Sequence, residues 1–172
     1  MPMPLQRHMC EHRGGSDYML HLIWAELEYD VKHALWRRGK VASIAGDQTK
    51  ITVLTDDDTD FLLRSFSASV SDLREKLVPY VYDESRMASD ELMDAPDEYN
   101  MSLRFDDDWR GSARVLCDAA HAYVCDVALR DILTLADDAL AQWYDEKANK
   151  ALRTVYNEAN ECYLSQPPIF IL

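Results

Sequence analysis

WRGSARVLCDAAHAYVCDVALRDILTLADDALAQWYDEKANKALRTVYNEANECYL, residues 109–164, is the stretch on which the fold turns. Neither Gly nor Pro occurs between Ser112 and Gln166. Its apolar face runs through Trp109, Leu116, Ala120, Tyr123, Val127, Leu135, Ala139, Trp143, Ala148, Leu152, Val155, Ala159 and Tyr163. They recur mostly every three, four or seven positions, which places them on one helix face. The stretch is long enough for two helices. A slip of the apolar register near Tyr144–Lys147 puts the break there, with Asp145 as the cap of the second segment. No other part of the chain offers as much surface to pack on.

Upstream, Asp106-Asp107-Asp108 places acids at the start of this helical stretch, where the helix dipole favours them. Before them, Tyr99 to Phe105 alternates: Tyr99, Met101, Leu103 and Phe105 on one side, Asn100, Ser102 and Arg104 on the other. That is a half-buried strand over 99–105, and a lone strand needs a partner. It pairs with 50–54 or 40–44, or it adds to the sheet of another subunit. Residues 83–98 carry seven acids and one base, and read as an exposed loop.

Further back, Thr55-Asp56-Asp57-Asp58 reads as a capped helix start. A calcium loop counted from Asp56 would need Gly at Phe61 and Glu at Ser67, so that pattern fails. The helix runs to about Val78 on Leu62, Phe66, Val70, Leu73 and Leu77, and Pro79 ends it. Residues 40–54 are either a short hairpin or an irregular connection. Residues 17–38 read as the first helix, striped by Leu20, Ile23, Leu27, Val31, Ala34 and Leu35, with Trp24 and Trp36 at its flanks and Gly39 just past its end. Residues 1–16 form a flexible N-terminal arm, 17–165 a single helical domain, and 166–172 an apolar tail. The fold class is therefore mainly α (α+β): about four helices packed around the long C-terminal helical stretch, with one strand.

Composition narrows the function classes. The 172 residues have a hydrophobic share of 48% and a charged share of 28%, as a globular chain does. Net charge is −13, unevenly placed. Residues 1–50 hold seven Lys/Arg and six Asp/Glu (net +1), and residues 51–172 hold eleven and twenty-five (net −14). An acidic body disfavours direct sequence-specific nucleic-acid contact and anionic membranes, and favours solubility or a basic partner, a solvated acidic surface being the simpler reading. No apolar run reaches membrane-spanning length, and Met1 to His8 lack the apolar core of a signal peptide. The expected setting is the cytoplasm of a host cell or a virion, with Cys10, Cys117, Cys125 and Cys162 reduced.

Chemistry-bearing constellations are sparse. Cys117, His121 and Cys125 stand four apart on one helix face and could ligate zinc, with His8 to His12 supplying a fourth group. The same residues read more simply as a small-residue packing face. A Cys–His nucleophile has nothing in the sequence to orient it. The acids at 56–58 and 106–108 could hold Mg²⁺ or flank a sugar, but helix starts already account for them. Phosphate loops, G-x-S-x-G and H-E-x-x-H are missing. Basic residues around Trp36, from Lys32 to Lys40, read as a helix end. No cofactor and no catalytic residue are expected.

The order of elements resembles a known group. Thr55-Asp56-Asp57-Asp58-Thr59-Asp60-Phe61-Leu62-Leu63, the helix and extended linker before it, the strand at 99–105, and Trp143-Tyr144 followed by Glu146-Lys147-Ala148-Asn149 carry the likeness. Together they look like small helical proteins of gut Bacteroidales tailed phages. Residues 51–78 are similar in pattern to phage head–tail connector (neck adaptor) proteins. The resemblance spans residues 17–168 and leaves the first sixteen without a counterpart. It implies a non-enzymatic structural protein of the virion, a homo-oligomer or a neighbour of other virion proteins. Its expected interface residues are Tyr99, Met101, Leu103 and Phe105 on the strand and Ile169, Phe170, Ile171 and Leu172 on the tail. The alternative is a small acidic inhibitor, mimicking nucleic acid or capping a basic partner. An enzyme reading would need shifted carboxylates in a cleft or a metal at Cys117, His121 and Cys125.

Overall fold

The computed structural model describes residues 11–12, 17–44, 59–82, 97–107, 109–134 and 136–161. In order these form β1 (Glu11–His12), β2 (Asp17–Ile23), α1 (Trp24–Ile44), α2 (Thr59–Lys76), β3 (Glu98–Arg104), α3 (Ala113–Leu133) and α4 (Asp138–Ala159). The protein is mainly helical, four helices with a small antiparallel sheet in the order β1-β2-β3.

The helix α3 is central. It packs against α4, α2, α1 and β2, most extensively against α4. Twelve of its 21 residues are buried, so it is apolar nearly all round, as a helix enclosed by other elements must be. Ser112 caps it, its hydroxyl accepting from the Val115 N–H, which satisfies one of the free donors of the first turn. The expected opening at Asp106–Asp108 is therefore displaced to Ala113.

The break between α3 and α4 also differs from the expected one. α3 ends at Leu133, and Asp137, not Asp145, caps α4 by accepting from the Leu140 N–H. The chain reverses there, so the face that continues in sequence does not continue in space. Trp143 and Ala139, on the expected stripe, are exposed, while Ala141, Ala148, Val155 and Ala159 are the buried residues of α4. Small residues let the two helices approach closely. At the far end Trp109 Nε1–H donates to the Glu158 carbonyl at 2.8 Å, the Arg110 N–H to the Glu161 carbonyl at 2.7 Å, and the Ser112 N–H to the Glu158 carboxylate at 2.7 Å. These bonds join the start of α3 to the end of α4 and fix the hairpin as antiparallel. Gly111 sits in this junction, where a Cβ would stand 2.1 Å from the Glu158 carbonyl oxygen.

Residues 17–23 are a strand, not the start of a helix. Leu20 and Leu22 are buried and Tyr18 half-buried, with period two, and β2 pairs antiparallel with β3 through Tyr18↔Leu103, Leu20↔Met101 and Leu22↔Tyr99. The expected strand partners, 40–44 and 50–54, do not supply this pairing: 40–44 is helical, and 45–58 lies outside the described residues. The hairpin at 40–54 is thus excluded at its first strand. Gly39 lies inside α1, which continues to Ile44. The N-terminal arm is not wholly free, since Glu11 and His12 pair with Met19 and Tyr18.

The other edge of β3 is covered in part. The Arg104 N–H donates to the Tyr80 carbonyl, the Tyr82 N–H to the Ser102 carbonyl, and Val81 bridges Leu103. Tyr99, Met101, Leu103 and Phe105 all face the chain's own core and are nearly sealed. Phe105 stacks on Trp109 at 4.2 Å, with Tyr18 and Tyr80 against the pair. These four side chains are thus core and not a free interface. Residues Ile169 to Leu172, the cap at Thr55–Asp58 and the acidic stretch 83–96 lie outside the described residues.

Candidate functional site

Two features of α1 stand out, one on each side of the helix. Leu27, Val31 and Leu35 turn inward and are buried. Asp30 stands beside that stripe and meets α3. Its Oδ2 lies 2.9 Å from His121 Nε2, and Cys125 Sγ lies 3.6 Å from the same nitrogen. The three donor atoms all lie within 4.8 Å of one another. Cys125 is a free buried thiol. Burial pushes its thiol well up from the ordinary value, and the negative charges of Asp30 and Asp126 add to this. Such a thiol is not an activated nucleophile. The acid and the thiol also share one imidazole nitrogen, so Asp30 competes for it instead of orienting the ring from the opposite side as in a triad.

The expected set Cys117, His121 and Cys125 is brought together only in part. His121 and Cys125 converge, but Cys117 is disulfide-bonded, which removes it as a ligand and corrects the expectation of four reduced thiols. Asp30 takes its place from a residue 91 positions away. No local spacing announces that contact; its one sequence signal is an acid at the edge of an apolar stripe.

On the outward side of α1 the basic residues around Trp36 suggest a helix end, but the helix continues to Ile44 and carries an aromatic ladder there. Tyr29 and His33 stack at 5.7 Å, His33 and Trp36 at 5.9 Å, with interplanar angles of 14° and 16°. Lys40 Nζ lies 5.1 Å over the Trp36 ring. The spacing of four, three and four residues puts all of them on the face opposite Leu27, Val31 and Leu35. Tyr29 is 57% and Trp36 59% exposed. A smaller aromatic group lies on α4, where Lys147 Nζ sits over Trp143 and Tyr144 while bonding the buried Asp126 carboxylate at 2.9 Å.

Polar links tie the helices behind these faces. Tyr123 Oη donates to Asp72 at 2.7 Å, Ser65 Oγ to Asp131 at 2.8 Å, and Arg130 bridges Asp131 and Asp145. Burial raises the Tyr123 hydroxyl, and its bond to the Asp72 carboxylate raises it further. These groups act as fixed connectors of α2, α3 and α4. Asp17 and Arg104 form a two-bond fork across β2 and β3, and the Arg104 bond holds the Asp17 carboxyl below its ordinary value.

No known protein family, no characterised protein and no solved structure matches the chain. Among the described residues, no helix is long and apolar enough to cross a membrane.

Proposed function

We propose that this chain is a non-enzymatic assembly protein that binds copies of itself through the outward face of α1. The observation that carries the reading is the Tyr29–His33–Trp36–Lys40 ladder. Tyr and Trp are favoured at the centres of protein interfaces and supply large contact area at low entropic cost, and here they are aligned on an exposed face of the helix. Charge supports a second copy as the occupant. The first fifty residues are nearly neutral (net +1), with Arg37 and Lys40 beside the ladder, and the remaining chain is net −14. A face of one kind against a body of the other is a head-to-tail contact, which closes into rings where the rotation permits. The finer assignment, a subunit of a phage neck or tail, rests on the resemblance in layout alone.

The test is the double variant Tyr29→Ser/Trp36→Ser, compared with the parent by sedimentation. Both positions are exposed, so the variant should keep its helix content and melting temperature while its mass falls to that of one chain. Association unchanged in the variant would contradict the proposal. The second reading, an acidic cap on a basic partner, is favoured by the net charge of −13. It predicts a chain that stays monomeric alone and binds a basic protein with a steep loss of affinity in salt.

A further inference from the structure

We propose that Asp30, His121 and Cys125 form a binding site for a divalent transition-metal ion of the zinc class. One donor each comes from carboxylate, imidazole and thiol, the set that zinc accepts. Zinc bonds of ~2.0 Å to nitrogen and oxygen and ~2.3 Å to sulfur imply tetrahedral donor separations of roughly 3.3–3.5 Å. The observed 2.9 Å and 3.6 Å from His121 Nε2 bracket that range. All three atoms lie within 4.8 Å of one another, and on uptake the Asp30 carboxylate and the Cys125 sulfur would settle at roughly 3.5 Å by adjustment of the exposed Asp30 side chain.

The burial gradient suits the ion's arrival. Cys125 is buried, the His121 side chain is 12% exposed, and the Asp30 side chain is 52% exposed. Solvent reaches the site past Asp30, and a water would fill the fourth position. Binding displaces the thiol proton of Cys125 and places the imidazole proton on Nδ1, leaving Nε2 as the ligand. Charges facing the thiol are Asp30 from α1, Asp126 from α3 and Lys147 from α4. The ion's two charges match the Asp30 carboxylate and the Cys125 thiolate, Asp126 keeps its own partner in Lys147 at 2.9 Å, and the ion ties α1 to α3. The site does not depend on the assembly reading above.

The experiment uses Co²⁺ as the probe, titrated into the full chain at neutral pH, with Zn²⁺ as competitor. The expected result is a thiolate-to-cobalt charge-transfer band saturating at one ion per chain. Zn²⁺ should abolish the band and raise the melting temperature. Cys125→Ser should lose the band. Asp30→Asn, at a solvent-facing side chain that leaves the fold intact, should weaken the ion by about tenfold or more. Asp118→Asn, an exposed acid elsewhere on α3, should bind as the parent does. Were Cys125→Ser to misfold, Asp30→Asn against Asp118→Asn decides the matter. No band in the parent, a band surviving in folded Cys125→Ser, or full affinity in Asp30→Asn would each overturn the proposal.

Discussion

Gly111 shows how tightly one position is determined. The carbonyl oxygen of Glu158 lies where a methyl group would go, and that carbonyl is itself held by the Trp109 indole. Backbone cannot move aside as a flexible side chain would. Gly111→Ala should therefore destabilise the protein by about 1–3 kcal/mol, in the range of overpacking, read as a fall in the denaturant midpoint. A variant as stable as the parent would mean that the junction is looser than described. Asp126 offers a second test. Burial raises its carboxyl above 3.8 by more than Lys147 lowers it. A carboxyl with a raised folded value binds its proton more tightly when folded, so its contribution to stability is greatest at low pH. That contribution falls as the pH rises from 3.8 through the folded value. Asp126→Asn removes the titration, and the melting temperature of the variant relative to the parent should climb over that interval. A relative decline would mean that the Lys147 pair outweighs burial. Neither residue was legible beforehand: Gly111 looks like an ordinary helix-start glycine, and Asp126 like one more surface acid.

At the scale of elements, the helical stretch and the strand at 99–105 were legible because their periods are clean and long. α2 was legible at its apolar stripe, Leu62 to Leu77. Two of the differences, at β2 and at the α3–α4 break, come from contacts between parts of the chain that a local period does not register. In β2, Leu20 and Leu22 alternate as a strand does, while Leu20, Ile23 and Leu27 also fit a helix; the need of β3 for a partner decides between them, and that is a long-range effect. The α3–α4 break lies upstream of the register slip at Tyr144–Lys147 because the chain reverses after Leu133 and the apolar period restarts where the helices face each other. The hairpin is closed by Glu158, whose carboxylate receives the Ser112 N–H at the start of α3. An acid there also meets the positive end of the helix dipole. Glu158→Ala should cost about 1 kcal/mol and should speed amide exchange in the first turn of α3 before the rest of the helix. Equal exchange along α3 in both proteins would count against this closure. The metal candidate follows the same logic: the i, i+4 pair on α3 was legible, whereas its third member depends on how α1 lies across that helix.

For the whole molecule, a single core organised by α3 lies behind an exposed aromatic face of α1. The apolar side of β3 is core, because the sheet closes on β2 and the segment 80–82 covers part of its other edge. In the proposed assembly the aromatic ladder on α1 is the interface, and the charge asymmetry favours a second copy as its partner. If the contact is head-to-tail between unlike faces, added salt should weaken it, since screening shortens the reach of surface charge. The most direct measurement is absolute mass by light scattering on the unmodified chain, over a range of concentration at low and high salt. The account predicts a mass that is a multiple of 19.8 kDa at low salt and moves toward that single-chain value as salt is added. A mass of 19.8 kDa at every concentration and at both salt levels would contradict it.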